Sequence, residues 1–543
     1  MNNVEKDSVQ EVCTTPTTSP LVQWVVEPTM YDTHVKENFH IFGIASILYA
    51  CLYTFCMYKN DSGITYPILI LGSIGFVRFY QKKLELDWKK ESIFYSVSML
   101  LLSISTCCTD DYRIIFLNKI GVFLLCICMI LGIVYDTRKW ELTKFLSSIL
   151  MVIFLAVGEI SRPFSDALWF CKNKLDKKNS KYIYALIGVG IAIPVVVIIF
   201  VLLSSADAVF RDLGNRLFSG VNNGDVWGIA WMFTFVFLAS YCLLAHVSKK
   251  TVKEEIADAR KWEPLIAIPV ASVLSLMYLV FSAIQIVYLF MGNMQLPKGY
   301  TYAEYAREGF FQLLAVSIIN LVIVLIGLSR FKKSKVLKVV LTILSLCTFI
   351  MIASSALRML IYIQYYYLTF LRIFVLWSLV VLFLLFVGVI VYIIKEDFPL
   401  FRYAMVVVTS LYIVFSFSHP DYWIAKVNLA GAEETRSEFF KGETYGDYGF
   451  LADLNADAAP VMLEWIKEEG YSVESYFSKG LTYAEYTDLL GHAEDKTVAE
   501  KKDWCSYLYL RHLQERCEDI QFRKWNFSRW NADVKVLLFD STR

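Results

Sequence analysis

Arg358 and Arg372 flank a stretch, Met359 to Leu371, that carries Tyr362, Tyr365, Tyr366 and Tyr367, with Trp377 beyond it. A guanidinium at each end of a loop of interfacial aromatics suits lipid phosphates or an anionic ligand, because its planar fork meets a phosphate or carboxylate in two places. The plain alternative is an aromatic belt with two anchors. Upstream, Thr301 to Gly309 leads into an apolar run that starts at Phe310. Thr301 and Glu304 form a capping box, and Glu304 and Glu308 lie one turn apart beside Arg307, which predicts a short interfacial helix. Asp207 closes the Ser204-Ser205-Ala206 end of another apolar segment. Arg372, Arg358, Glu304, Arg307, Glu308 and Asp207 are therefore the candidate functional residues, all expected on one face of a membrane, because ionisable groups at the ends of apolar segments are costly to keep there without a role. Lys119 sits about one turn inside the run from Ile114 and is expected to reach Asp110 or Asp111 as an anchor, while Arg78 snorkels beside Lys82 and Lys83.

Enzyme chemistry finds little to stand on. The six histidines, His34, His40, His246, His419, His492 and His512, are scattered, and none stands at metal-ligand or nucleophile-base spacing. His419 precedes Pro420 and reads as part of a turn that closes the last span. No catalytic, cofactor-binding or metal residue is assigned, and the Gly-rich Lys-Ser/Thr loop that cradles a nucleotide phosphate is missing.

The elements that must position these residues are membrane spans. Of 543 residues, 57% are hydrophobic and 19% charged, with a mean hydropathy of +0.49, far from the profile of a soluble domain. A net charge of +1 supplies no field for nucleic acid, so the lipid bilayer is the expected partner. A span needs roughly twenty apolar residues. By that measure about eleven begin near Phe39, Ile64, Ile93, Ile114, Tyr182, Trp227, Leu265, Phe310, Val336, Phe370 and Tyr403. The run Phe145 to Ile160 is short and basic on both sides, and reads as re-entrant or interfacial. The remaining spans then alternate, with roughly 24 Lys and Arg in the loops on one side and roughly 7 on the other. That places the N-terminus in the cytoplasm and the C-terminal region outside the cell membrane. Gly188, Gly190 and Pro194 predict a kinked, close-packed helix from Tyr182, which either lines a cavity or serves packing alone.

The chain divides into a polar segment (1–38), N-terminal membrane helices with a basic loop (39–181), a main membrane region (182–418) and a soluble, acidic, aromatic-rich C-terminal region (419–543). The last of these contains two stretches of helical period. Val461, Met462, Trp465 and Ile466 share a face in Ala456 to Glu469, and Trp504, Tyr507, Leu508 and Leu510 in Ala499 to Glu518. Cys505 and Cys517, about three turns apart on one helix, are expected as free thiols.

The chain resembles a bacterial multi-pass family catalogued as domain of unknown function 4173, with the related 4153. The residues that carry the likeness are Ser205 to Phe210, Thr301 to Phe311, Leu368-Thr369-Phe370-Leu371-Arg372, His419 to Asn428, and Trp525-Asn526-Phe527-Ser528-Arg529, over roughly residues 150 to 535. Tyr367 stands where members of that family carry glycine, so the backbone there is expected to differ. The resemblance implies a polytopic helical fold and no established activity. In a bacterial source, Asn526-Phe527-Ser528 is no glycosylation signal, although its letters fit. Two functions remain open, with transport of an unidentified small molecule first and an envelope sensory or assembly protein second, its C-terminal region contacting a protein partner.

Overall fold

The computed structural model describes residues 29–137, 140, 142–174, 188, 196, 199, 203, 206, 207, 223–250, 260–287, 309–433, 445–470, 498–517 and 521–533. Among them no strand forms, and the only β pairing is an isolated bridge between Trp262 and Phe331. The first helices are α1 (Met30–Glu37), α2 (Phe39–Met57), α3 (Thr65–Lys83), α4 (Lys90–Cys108), α5 (Tyr112–Val134), α6 (Leu142–Val157) and α7 (Arg162–Lys174). Then follow α8 (Asn223–Ser248), α9 (Pro264–Gln285), α10 (Phe310–Arg330), α11 (Lys335–Tyr366), α12 (Phe370–Ile394) and α13 (Leu400–Ser416). The C-terminal part holds α14 (Pro420–Glu433), α15 (Tyr445–Ala452), α16 (Ala459–Glu468) and α17 (Val498–Cys517), with 3-10 turns at Ala456–Ala458 and Phe522–Lys524.

Eight of the described helices are long and apolar enough to cross a membrane, and ten if each of two bent pairs counts as one span. Leu265, Val273, Phe154 and Val414 are each two-thirds or more exposed on the outside of these helices. Such a surface is at home in lipid and costly in water. Inside, Ile70, Met99, Leu102, Met129 and Leu131 build one core between α2 and α5, and Val324, Leu341, Leu344 and Val389 another between α9 and α12.

The contacts sort the helix ends onto two faces. On one, Tyr80 at the end of α3 meets Ser248 at the end of α8, Arg402 in α13 pairs with Glu91 in α4, and Glu396 collects Arg260, Lys333 and Lys338. This face is rich in lysine and arginine. On the other face lie the α2–α3 and α4–α5 turns and the described residues of the C-terminal part.

The pair α6 and α7 bends by 60°. Phe145 at its start packs on Phe401 at 4.1 Å. Glu159, at the break, pairs with Lys249 at 2.5 Å, and Arg162 pairs with Asp32 of α1 at 2.5 Å. All three anchors belong to the basic face, and clusters of positive charge stand on both flanks of the pair. The end of α7 and the start of α8, where Asp225 takes Tyr58 Oη at 2.9 Å, lie on opposite faces. A passage that starts near Tyr182 requires that, although most of it falls outside the described residues.

The C-terminal part has its own core of Ile424, Leu451, Met462, Leu463, Ile466, Cys505, Tyr509 and Leu513. Both helices expected from periodicity form, and Cys505 and Cys517 are free thiols. We call this part the cap.

Candidate functional site

The cap does not hang from α13 by a tether. The α4–α5 turn, Thr109-Asp110-Asp111, presents a peptide N–H and three side chains to it. Asp111 caps α5 by accepting the Arg113 N–H at 2.9 Å, and it also takes the Arg113 Nε at 2.8 Å. The same guanidinium reaches Asp421 of α14 at 2.6 Å and lies over the Phe370 ring at 4.0 Å. Asp110 accepts from Arg516 at 2.7 Å and from Arg529 at 2.6 Å. Its neighbour in the cap, Asp457, accepts the Asp110 N–H at 3.1 Å and the Thr109 hydroxyl at 2.5 Å. His419, between α13 and α14, places Nδ1 3.4 Å from the Asp457 carboxylate.

Four carboxylates, Asp110, Asp111, Asp421 and Asp457, are thus removed from water, with side-chain exposures of 0%, 0%, 3% and 0%. Three guanidiniums face them. Uncompensated buried charge is expensive, so the cluster is driven toward neutrality, by a proton on His419 or on Asp421. The Asp457 carboxylate accordingly raises the His419 pKa against the opposing effect of burial. Burial pushes Asp457 up, but His419, Ser528 and Thr109 together hold it below the usual carboxylate range. Burial dominates at Asp421, whose pKa is pushed up to about 6 although Arg113 pulls it down.

Two backbone fittings complete the joint. Asn526 is fully buried and donates to the carbonyls of Thr109 at 2.9 Å and Ser62 at 3.2 Å, while its Oδ1 caps the chain at Ser528 N, 3.0 Å away. Its amide is consumed by the joint, which leaves no room for a glycan. Asn60 ties the α2–α3 turn to the Arg523 carbonyl at 2.8 Å. A Cβ at Gly63 would stand 2.0 Å from that carbonyl, so only glycine lets the cap backbone pass so close. On the far side of the joint, the Asn428 side chain accepts from Leu368 N at 2.8 Å and donates to Leu368 O at 3.0 Å, clamping α14 to the α11–α12 turn.

The residues singled out from sequence fall elsewhere. Helix α11 continues to Tyr366, so Arg358 lies within a helix, where an end of an open loop was expected. Buried, it points toward Gln285 (3.5 Å), and its guanidinium stands where a Cβ on Gly309 would touch it. Arg372 donates to the carbonyls of Tyr366 and Tyr367 and lies over the Tyr362 ring at 4.2 Å. It thereby satisfies the open end of α11. Among the contacts described, Arg358 and Arg372 meet different groups. Asp207 is exposed. Glu304, Arg307 and Glu308 lie outside the described residues. Lys119 reaches neither Asp110 nor Asp111 and pairs with exposed Asp61 at 3.0 Å, because the α4–α5 carboxylates are already taken by arginines. Tyr367 adopts φ 65 and ψ 176, a region open almost only to glycine. A glycine would suit this conformation better than a residue with a Cβ.

Three of the five stretches on which the resemblance rests, His419 to Asn428, Leu368 to Arg372 and Trp525 to Arg529, meet at this joint. A family described as a domain of unknown function (DUF4153) matches residues 97–465. The chain belongs to that family. The DUF4153 match starts earlier than the motif resemblance and falls on the second of the two families named there. It includes Asp110, Asp111, Arg113, His419, Asp421 and Asp457, whereas Arg516 and Arg529 lie beyond it. Among curated proteins and solved structures nothing matches the chain.

Sequence reasoning passed over the four carboxylates because each looks like an ordinary polar residue next to a helix end. The one usable signal was that Asp110 and Asp111 are adjacent at a span end, while Trp525 to Arg529, far along the chain, pairs a buried-type amide with an arginine.

Proposed function

We propose that this multi-pass membrane protein is an envelope sensory or assembly protein in which the cap and the bundle act as one unit. The observation that carries this reading is the buried cluster of four carboxylates against three arginines and His419 at the cap–bundle joint. A cap that only closed a helix bundle gains as much from apolar packing. Buried ionic groups that cost desolvation instead favour one docking geometry, which suits transmission from cap to helices. Transport of a small molecule, first in the sequence reading, draws on two bent helix pairs, of 60° and 58°, of which the second carries His419 and Asp421 at its break.

The opposite placement of the N-terminal helix and the cap supports an odd number of passages, as eleven is, and the concentration of basic residues near α1 supports a cytoplasmic N-terminus with the cap outside. A bacterial source and kinship with domain of unknown function 4173 rest on the motif stretches alone.

The test is complementation of a deletion strain by the Asp110→Asn, Arg529→Gln double variant, which releases the cap while the spans stay inserted. Loss of the phenotype with normal insertion supports the reading. Full activity with a released cap overturns it and turns attention to flux measurements.

A further inference from the structure

The end of the cap folds down over the rim of the bundle. The turn Phe522–Lys524 rests on the α2–α3 turn, where the Arg523 carbonyl takes Asn60 Nδ2 at 2.8 Å and Thr65 Oγ1 at 3.3 Å. The Trp525 carbonyl takes the Ile64 N–H at 2.8 Å. The Arg523 guanidinium donates to the Tyr58 carbonyl just past the end of α2 and lies 5.5 Å over the ring of Phe55. Phe55 is 57% exposed, on the outer side of a helix long enough to span a membrane. This part of the cap is therefore peripheral to the bundle and level with the end of a lipid-facing helix.

At that level it shows apolar rings. Phe522 is 77% exposed, Phe527 44% and Trp530 43%. Trp525, Phe527 and Trp530 stand with ring centroids 6.1–6.5 Å apart. Tryptophan, an apolar ring with a polar edge, prefers the headgroup layer, phenylalanines beside it bury their rings at the acyl boundary, and arginines there meet lipid phosphates. We infer that Phe522, Phe527 and Trp530 form a foot that inserts into the headgroup layer of the leaflet on the cap's side, with Arg523 at the phosphate level. The occupant is lipid because the patch continues the lipid-facing surface of α2 through the Arg523–Phe55 contact. The inference holds whichever side of the membrane the cap is on.

The test uses the full chain in phosphatidylcholine/phosphatidylglycerol nanodiscs, with a single cysteine at Phe522 or Trp530 in a cysteine-free background, labelled with an environment-sensitive fluorophore. Glu515, an exposed residue of α17, is the control site. Expected at both foot positions is quenching by lipids spin-labelled near the headgroup several-fold stronger than by lipids labelled deep in the chain, with no lipid quenching at Glu515. Water exposure equal to that of Glu515 overturns the inference. Protection from both lipid and aqueous quenchers also overturns it, and assigns the patch to a contact within this chain or with a second copy of it. In the unsubstituted protein, a lipid-borne diazirine should mark the peptide 521–533 on irradiation, and an unmarked peptide counts against the foot independently of any variant.

Discussion

His419 Nδ1 lies 3.4 Å from the Oδ2 of Asp457, across the junction between the last span and the cap. The imidazole pKa is raised by that carboxylate, so the contact contributes stability that is complete below the unfolded value of about 6.5 and fades as pH rises through the folded value. Asp421, raised to about 6, acts in the same direction, because its neutral form is favoured in the folded joint and stability falls as pH climbs from about 4 through 6. Asp457 is lowered and works at the other end, losing its contribution as pH falls below about 4. Cap docking is therefore tightest in mildly acidic solution and loosens toward alkaline pH. Protease susceptibility of the cap in nanodiscs should rise above neutrality in the parent protein, and His419→Gln should flatten that rise. A variant with an unchanged profile would falsify the assignment.

Asp110 is the single acceptor for two arginines, Arg516 and Arg529. Asp110→Asn keeps the shape of the side chain and leaves two guanidiniums short of a counter-charge. Breaking a fully buried pair by removing one partner costs about 3–5 kcal/mol, and the cost here is smaller because Arg516 and Arg529 keep 37% and 31% of their side chains exposed. The expected result is release of the cap at temperatures where the spans remain folded, seen as a separate early transition in the thermal melt. Because Asp110 and Arg529 share one interaction, their double-mutant cycle should show a coupling of at least about 0.5 kcal/mol. Strict additivity contradicts the joint described here.

The helical, membrane-embedded character of the chain was legible because it rests on composition and on runs of about twenty apolar residues, which are local properties. The segment from Phe145 was singled out through charge, by the lysines and arginines on both flanks, and the structure makes it the first arm of a helix pair bent by 60°. The joint was not. Asp110 and Arg529 are distant in sequence, and nothing in the immediate neighbourhood of either tells that they meet. Arg372 was read as one end of a ligand clamp, and the structure adds what hydropathy could not place, its bonds to the last carbonyls of a long helix. Tyr367 was noticed through resemblance to a glycine-bearing family, and its positive φ then explains why glycine suits the position.

That backbone leads to a prediction with opposite signs at adjacent sites. Tyr367 holds a conformation that costs a residue with a Cβ about 1–3 kcal/mol. Tyr367→Gly should be neutral or should raise the melting temperature, once lost ring contacts are set against relieved strain. Arg372→Lys should lower it, because a point charge on a flexible stem cannot bond two carbonyls and lie flat on Tyr362 as a guanidinium does. A destabilised Tyr367→Gly protein with a wild-type-like Arg372→Lys protein is the outcome that contradicts this account.

The two faces of the bundle give a prediction about sidedness that needs no knowledge of function. Asp61 on the α2–α3 turn is 90% exposed and Glu515 in the cap 60%, and both belong to the face that carries the joint. Lys332, 55% exposed, belongs to the basic face. Single cysteines at these three positions, in a cysteine-free background in intact cells, should divide two against one toward a membrane-impermeant thiol reagent. Labelling of Asp61 and Glu515 with protection of Lys332 is expected, because lysine and arginine accumulate on the cytoplasmic side. The reverse division would keep the architecture and invert the protein, placing the cap and its titrating joint in the cytoplasm. Labelling that separates Asp61 from Glu515 is incompatible with the joint itself, since the Asn60 and Asn526 side chains hold the α2–α3 turn and the cap within hydrogen-bond distance of each other.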